Sequence, residues 1–356
     1  MKSPKSLKSK LSKAPAKPLI IAELSANHNQ SLEIAKDTIR AIARSGADGV
    51  KLQTYTPECL TLQSSKPYFQ IKDAKLWAGR NLYDLYNEAQ TPWEWHEELF
   101  SLAKSLGLLA FSSPFSPRGV AFLESLECPI YKVASFEIAH YELLEAIAKT
   151  KKPIIISTGI ATPKEIKRAL KLCHKHGAYD ITLLHCVSEY PASLESANLL
   201  TLPVLAQTYK KYGVKVGLSD HSLGSLCPTL SVSLGAVMIE KHFILDKSLG
   251  GVDSAFSLDE GEFASMVQSV RDASKALGQR DFTPSKAVMK KRRAFGRSIF
   301  TSRDIKKGER LSPDNLAVVR PSHGAHPKHY KDILGKRAKR DLTAHEPLSL
   351  KDVWGK

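Results

Sequence analysis

The sequence predicts a (β/α)8 TIM barrel followed by a small second module, and three observations carry that expectation. Eight short apolar, β-branched runs recur through the first 245 residues. Between them lie stretches with apolar side chains three and four positions apart, the spacing of surface helices. Polar side chains gather where each run ends. Strand and helix alternating eight times close into a barrel of about 250 residues, whose chemistry sits at the C-terminal mouth. A chain of 356 residues leaves room for one further small unit.

The runs fall at 19–24, 49–54, 108–114, 130–135, 153–159, 181–187, 215–222 and 237–243, each bounded by Gly, Pro or polar residues. Helical spacing is clearest at 31–45, 92–106 and 163–176. The polar run ends are 23–28, 51–54, Ser112 with Ser113, 132–137, 157–159, 185–190, 219–222 and 240–242, so eight separate segments converge on one pocket. After Gly278 the periodicity weakens, and 281–294 reads as a polar, basic linker. Residues 295–356 hold short β-like runs at 298–301 and 317–320, with turn signals at Lys307-Gly308 and 321–324. The expected organisation is a tail at 1–17, a barrel at 18–280, the linker, and a compact module at 295–356.

Hydrophobic residues make up 42% and charged residues 25%, as in an ordinary globular protein. The net charge of +16 divides unevenly: residues 1–17 carry +6, residues 286–356 carry +12, and the barrel segment carries −2. The barrel segment is therefore not basic. Neither basic segment interleaves aromatic residues in an RNA-binding or zinc-finger pattern, so no nucleic-acid partner is expected and 1–17 reads as a disordered tail. No apolar run reaches the roughly 18 residues of a membrane span, and no secretory signal opens the chain. A cytoplasmic enzyme without a membrane partner is expected. Five scattered cysteines without a CxxC pair read as reduced thiols.

His221 and His242 end the seventh and eighth runs, which are neighbours in a closed barrel. Two imidazoles on adjacent strand ends can share one divalent ion and leave positions open for water or substrate. A lone loop histidine would more simply be a hydrogen-bonding group; the pairing favours the ion. Lys51 and Lys132, with the hydroxyls of Ser113, Ser135, Ser157 and Ser219, suit a phosphate and a carboxylate held side by side, the two groups of phosphoenolpyruvate. Any one serine alone is as well explained as a turn hydroxyl. Glu23 and Glu137 are the general acid and base candidates, with a surface ion pair as the alternative. Cys173, His174 and His176 resemble a metal cluster but have no partner ligands, and read as a basic helix end.

These motifs identify a family. Glu-Leu-Ser-Ala-Asn-His (23–28), Lys-Leu-Gln-Thr-Tyr-Thr-Pro (51–57), Tyr-Lys-Val-Ala-Ser-Phe-Glu (131–137), Ser-Thr-Gly (157–159) and Gly-Leu-Ser-Asp-His-Ser (217–222) resemble the sialic acid synthase family. Ser25-Ala26 and the stretch 82–95, with Tyr-Asp-Leu-Tyr and Thr-Pro-Trp-Glu-Trp-His, resemble most closely its pseudaminic acid branch. The C-terminal module, with Arg-Ser-Ile-Phe (297–300), Asp-Ile-Lys-Lys-Gly-Glu (304–309) and Arg-Pro-Ser-His-Gly (320–324), resembles the antifreeze-like (SAF, β-clip) domain of these enzymes. The resemblance implies condensation of phosphoenolpyruvate with an amino-sugar aldehyde, 2,4-diacetamido-2,4,6-trideoxy-L-altrose in that branch. N-acetylmannosamine or a legionaminic acid precursor is the alternative sugar.

By the same resemblance His221 and His242 hold Mn2+ or Mg2+. Lys51, Ser113, Lys132, Ser135, Ser157, Ser188 and Ser219 bind phosphoenolpyruvate. Gln53, Glu137, Tyr190 and Asp253 face the sugar, and Arg320 reaches in from the partner subunit of a domain-swapped homodimer. Ser188 and Ser113 stand where some family members carry Asn and Thr.

Overall fold

A computed structural model describes residues 17–72, 77–278 and 282–354. The chain divides into two compact units, Met1–Arg280 and Asp281–Lys356.

The first unit is a closed barrel of eight parallel strands: β1 (Leu19–Glu23), β2 (Gly49–Thr54), β3 (Leu109–Pro114), β4 (Tyr131–Val133), β5 (Ile154–Ser157), β6 (Ile181–Cys186), β7 (Lys215–Asp220) and β8 (Met238–His242). The barrel closes where β1 pairs with β8, with Glu23 opposite His242. The strands are buried on both faces, which explains their near-continuous apolar sequences. Gly217 in β7 permits the close approach of its neighbours, since a Cβ there would lie 2.4 Å from the Met238 carbonyl oxygen and 2.7 Å from Leu184 Cδ2.

Helices α1 (Leu32–Arg44), α2 (Pro57–Leu60), α3 (Leu82–Ala89), α4 (His96–Ser105), α5 (Pro117–Ser125), α6 (Tyr141–Lys149), α7 (Pro163–Lys175), α8 (Thr201–Thr208), α9 (Leu226–Ser233) and α10 (Glu260–Leu277) connect and cover the strands. Their starts are written in the sequence. Thr162 and Glu165 form a capping box at α7, and Asp259 with Glu262 does the same at α10. The expected helical stretch 92–106 begins instead as a 3-10 turn, Trp93–Trp95, because Pro92 has an extended ψ and cannot start an α-turn. The fourth strand is shorter than expected, since Ser135–Glu137 turns into a 3-10 helix that lifts Glu137 to the mouth.

Most of the linker expected at 281–294 is helical, as part of α11 (Lys286–Phe295): Ser285 accepts a hydrogen bond from the Val288 amide and starts the turn. In the second unit β9 (Ser298–Thr301) and β10 (Leu316–Val319) pair antiparallel, and a short helix α12 (Tyr330–Ile333) follows. Ile299, Ile305, Leu311, Leu316, Ile333, Ala338, Leu342, Leu348 and Val353 form a core of its own. The tail expected at 1–17 lies outside the described residues except for Lys17. None of the described helices is long and apolar enough to cross a membrane. All five cysteines are free thiols.

Candidate active site

The alternation of side chains along a strand decides what the barrel mouth contains. On β8, Glu240 and His242 point inward while Lys241 between them points out, and on β2 Lys51 and Gln53 point inward. The result is a cavity of about 380 Å³ at the C-terminal ends of the strands. Its floor is charged. Lys51 Nζ lies 2.9 Å from Glu23 Oε2 and 3.1 Å from Glu240 Oε2, and Lys132 Nζ lies 3.2 Å from Glu240 Oε1. Ser219 Oγ donates to Glu240 Oε1 at 2.9 Å, and Gln53 Nε2 donates to Glu23 Oε1 at 2.8 Å. Two ammonium groups and two carboxylates thus form one buried quartet.

Charge follows from this arrangement. Burial disfavours ionised Glu23, but Lys51, His242 and Lys132 outweigh it and hold its carboxyl well below the usual range. Burial likewise opposes charge on Lys51, and Glu23 with Glu240 overcomes it and raises its pKa. Lys132, buried and beside Lys51 with fewer carboxylates, is shifted down. Glu137 sits apart from the quartet and burial pushes it up to about 7. The two glutamates expected to share the acid and base work are therefore shifted in opposite directions.

His221 and His242 meet at the rim with ring centroids 5.4 Å apart. His221 Nδ1 donates to the Val187 carbonyl oxygen at 2.8 Å, which leaves its Nε2 as the lone-pair nitrogen. His242 Nδ1 is buried without a hydrogen-bond partner, 3.7 Å from Asp253 Oδ2, and burial lowers the pKa of its ring. Burial opposes charge on His221, but Cys186 and the Val187 carbonyl outweigh it and raise the pKa, and a bound cation would compete with that proton for Nε2. Two imidazoles on adjacent strand ends, one with a buried nitrogen lacking a hydrogen-bond partner, are the donor chemistry a divalent ion takes, so the pair fits the expected metal. Among the described residues no three His, Cys, Asp or Glu side chains gather closely enough to hold an ion, so the remaining ligands would be water or substrate.

Glu23, Lys51, Gln53, Lys132, Ser135, Glu137, Ser157, Tyr190, Ser219, His221, His242 and Asp253 line this one cavity. Ser113 and Ser188 do not. Ser113 pairs in register with Gln53, and its Oγ is buried without a partner. Ser188 Oγ lies 2.9 Å from Ser135 Oγ, an approach that Gly159 allows, because a Cβ there would come within 2.3 Å of it. Arg320 is an exposed residue of the second unit. Cys173 is buried in α7, and His174 packs edge-on against Tyr179 and Tyr212.

Sequence reasoning missed Glu240, the carboxylate shared by both lysines; its place two residues before His242 on one strand was the available signal. It also missed Ser25, which donates to Asp253 and accepts from Gln53 at 3.0 Å. The largest omission is the wall built by the long connection after β2, where Tyr55, Leu60, Ile71, Trp77, Leu82, Leu85 and Tyr86 line the cavity.

Comparison with known proteins agrees with this geometry. The NeuB family model matches residues 38–282 and the SAF domain model matches residues 296–353. Pseudaminic acid synthase of Helicobacter pylori is 53% identical over 94% of this chain and 98% of its own length. The synthase of the same name from Campylobacter jejuni serotype O:2 is 48% identical over 94% and 96%. Among solved structures, N-acetylneuraminic acid synthetase from Leptospira borgpetersenii, in complex with citrate, superposes with a TM-score of 0.69 at 29% identity, covering 78% of this chain and 90% of that one.

Proposed function

The chain belongs to the NeuB family, and from that premise we propose that it condenses phosphoenolpyruvate with 2,4-diacetamido-2,4,6-trideoxy-L-altrose and water, giving pseudaminic acid and inorganic phosphate. The observation that carries the chemistry is the buried quartet, where Lys51 and Lys132 stand side by side on the floor of the cavity at the barrel mouth. A ligand with both a phosphate and a carboxylate satisfies two such cations better than a single anion does. The hydroxyls of Ser135, Ser157 and Ser219 orient it; the orphaned Ser157 Oγ lacks only an acceptor or donor from the ligand. Ser113 and Ser188 act from behind, Ser188 through Ser135.

In the reaction a bond forms between C3 of phosphoenolpyruvate and the aldehyde carbon, and the aldehyde oxygen takes up a proton. Water adds at C2, loses a proton, and the C–O bond to phosphate breaks. The two glutamates divide this work by their charge. Glu137, still protonated in about half of the molecules at pH 7, is suited to donate the proton to the sugar oxygen, and ionised Glu23 is suited to accept the one from water. Gln53, Tyr190 and Asp253 hold the sugar between them. His221 and His242 would hold Mn2+ or Mg2+, whose contribution when bound is Lewis-acid polarisation of the aldehyde oxygen. The working assembly is a homodimer in which the partner subunit's Arg320 reaches the sugar.

Incubating the protein with phosphoenolpyruvate, Mn2+ and each aldehyde, and identifying products by mass spectrometry, tests the reading. Pseudaminic acid from the altrose sugar is expected. Product from N-acetylmannosamine and none from the altrose sugar would overturn the sugar assignment and keep the reaction.

A further inference from the structure

Ser25, just after β1, is 1% exposed and has a φ of 52°, in the left-handed region where a side chain is strained and glycine is not. Its turn is locked from outside. Asn27 N closes it on the Leu24 carbonyl oxygen at 3.2 Å, and Asn27 Nδ2 donates to the Phe243 carbonyl oxygen and to Ser257 Oγ, both at 2.8 Å. Ser257 Oγ in turn donates to the Asp253 carbonyl oxygen at 2.7 Å. This backbone would suit glycine, so the strain points to a use for the serine hydroxyl.

That hydroxyl joins two side chains of the cavity: it donates to Asp253 Oδ2 and accepts from Gln53 Nε2 at 3.0 Å. Gln53 Nε2 gives its other hydrogen to Glu23 Oε1 at 2.8 Å. The amide nitrogen is then fully used, and Oε1 is the end without a partner among the described residues. Carboxylates at both ends of the chain Glu23–Gln53–Ser25–Asp253 only accept, which fixes the direction of every bond in it. Asp253 Oδ1 likewise has no hydrogen-bond partner among the described residues. The next donor near Oδ2, His242 Nδ1, lies 3.7 Å away, beyond hydrogen-bonding distance.

We propose that Ser25 is a positioning residue for the sugar: its hydroxyl turns Gln53 and Asp253 so that each offers an oxygen, which the sugar meets with O–H or N–H donors. This role rests on the reading above that Gln53 and Asp253 face the sugar, and it adds what orients them and which polarity they present. Without the hydroxyl the Gln53 amide is free to flip and the Asp253 carboxylate to swing towards His242 Nδ1. The phosphoenolpyruvate site is spared, because Ser25 hydrogen-bonds neither Lys51 nor Lys132.

Two variants separate the hydroxyl from the backbone. Ser25→Ala and Ser25→Gly lose the same hydroxyl, but only Ala keeps a side chain at positive φ, so Gly melts at the higher temperature of the two. Phosphate release with Mn2+, saturating phosphoenolpyruvate and varied altrose sugar gives kcat/KM for the sugar. Both variants should lose about 10- to 100-fold, the worth of a hydrogen bond to a charged group, and by the same factor despite their different melting temperatures. Calorimetric titration with phosphoenolpyruvate and Mn2+, without sugar, should give the wild-type affinity in both. A Gly variant with wild-type kcat/KM, a loss that follows melting temperature, or an equal loss of phosphoenolpyruvate affinity overturns the role of Ser25 while the reaction stands. A wild-type protein that releases no phosphate with any of the aldehydes overturns the reaction, and this role with it.

Discussion

Lys51 and Lys132 can share the inside of a barrel because Glu240 lies 3.1 Å from one and 3.2 Å from the other. Removing its charge leaves two buried ammonium groups facing Glu23 alone, the kind of uncompensated burial that costs about 3–5 kcal/mol. Glu240→Gln is thus expected to lower the melting temperature. Saturating phosphoenolpyruvate should raise it by more in the variant than in the wild-type protein, since an anion then replaces the missing carboxylate; equal shifts would show that the ligand binds elsewhere. Glu137 makes a separate prediction. Its pKa is raised from an ordinary 4.5 to about 7, so its contribution to stability is complete below about pH 4.5 and is lost as pH rises through 7. Glu137→Gln cannot ionise, and its stability relative to wild type should improve by about 1–2 kcal/mol between pH 5 and pH 8, after discounting for partial exposure. Chemical denaturation at the two pH values measures it, and no pH dependence in the difference would contradict the assignment.

Strand alternation explains both what was legible and what was not. Eight β-branched runs, each ending in polar residues, placed the strands to within two or three residues, because parallel barrel strands are buried on both faces and cannot afford interruptions. The inward residues Lys51, Lys132, His221 and His242 followed from position at strand ends. Glu240 did not, because a buried carboxylate one turn of the pleat below a histidine looks no different in sequence from a surface one. The connection after β2 was opaque for another reason: α2 and α3 have four and eight residues, too short for a periodic signal. Outward residues also bear on the site. Lys241 Nζ donates to Asp220 and to the Ser222 carbonyl oxygen, while Asp220 Oδ1 accepts from Ser222 N at 3.1 Å and Ser222 Oγ at 2.8 Å, pinning the turn that carries His221. Lys241→Met leaves Asp220 buried without its counter-charge and should cost about 3–5 kcal/mol in denaturant unfolding. Adding Asp220→Asn should recover much of that; a double variant as unstable as the single one would sink the account.

At the scale of the whole molecule, the two units were legible from the fading periodicity after Gly278, although the basic stretch that opens the second unit folds as α11 because Ser285 caps it. Of the +12 charge of residues 286–356, +6 falls in the stretch matched by the SAF domain model and +5 in α11. The domain-swapped dimer proposed above has its own consequence. If Arg320 serves the partner subunit, Lys51→Met disables a barrel and Arg320→Ala disables the arm, so co-expressing the two variants should restore about a quarter of wild-type activity through mixed dimers. Activity no higher than either variant alone would mean that Arg320 does not act across subunits.

The central claim is that phosphoenolpyruvate is held by the buried lysines beside an ion held by two histidines. Phosphate release with the altrose sugar, measured with Mn2+, after chelation, and in Lys51→Met, tests it most directly. Loss of release on chelation, recovery on adding Mn2+, and a fall of about 10²–10³-fold in Lys51→Met are predicted. Full activity in chelator, or in Lys51→Met, would contradict it.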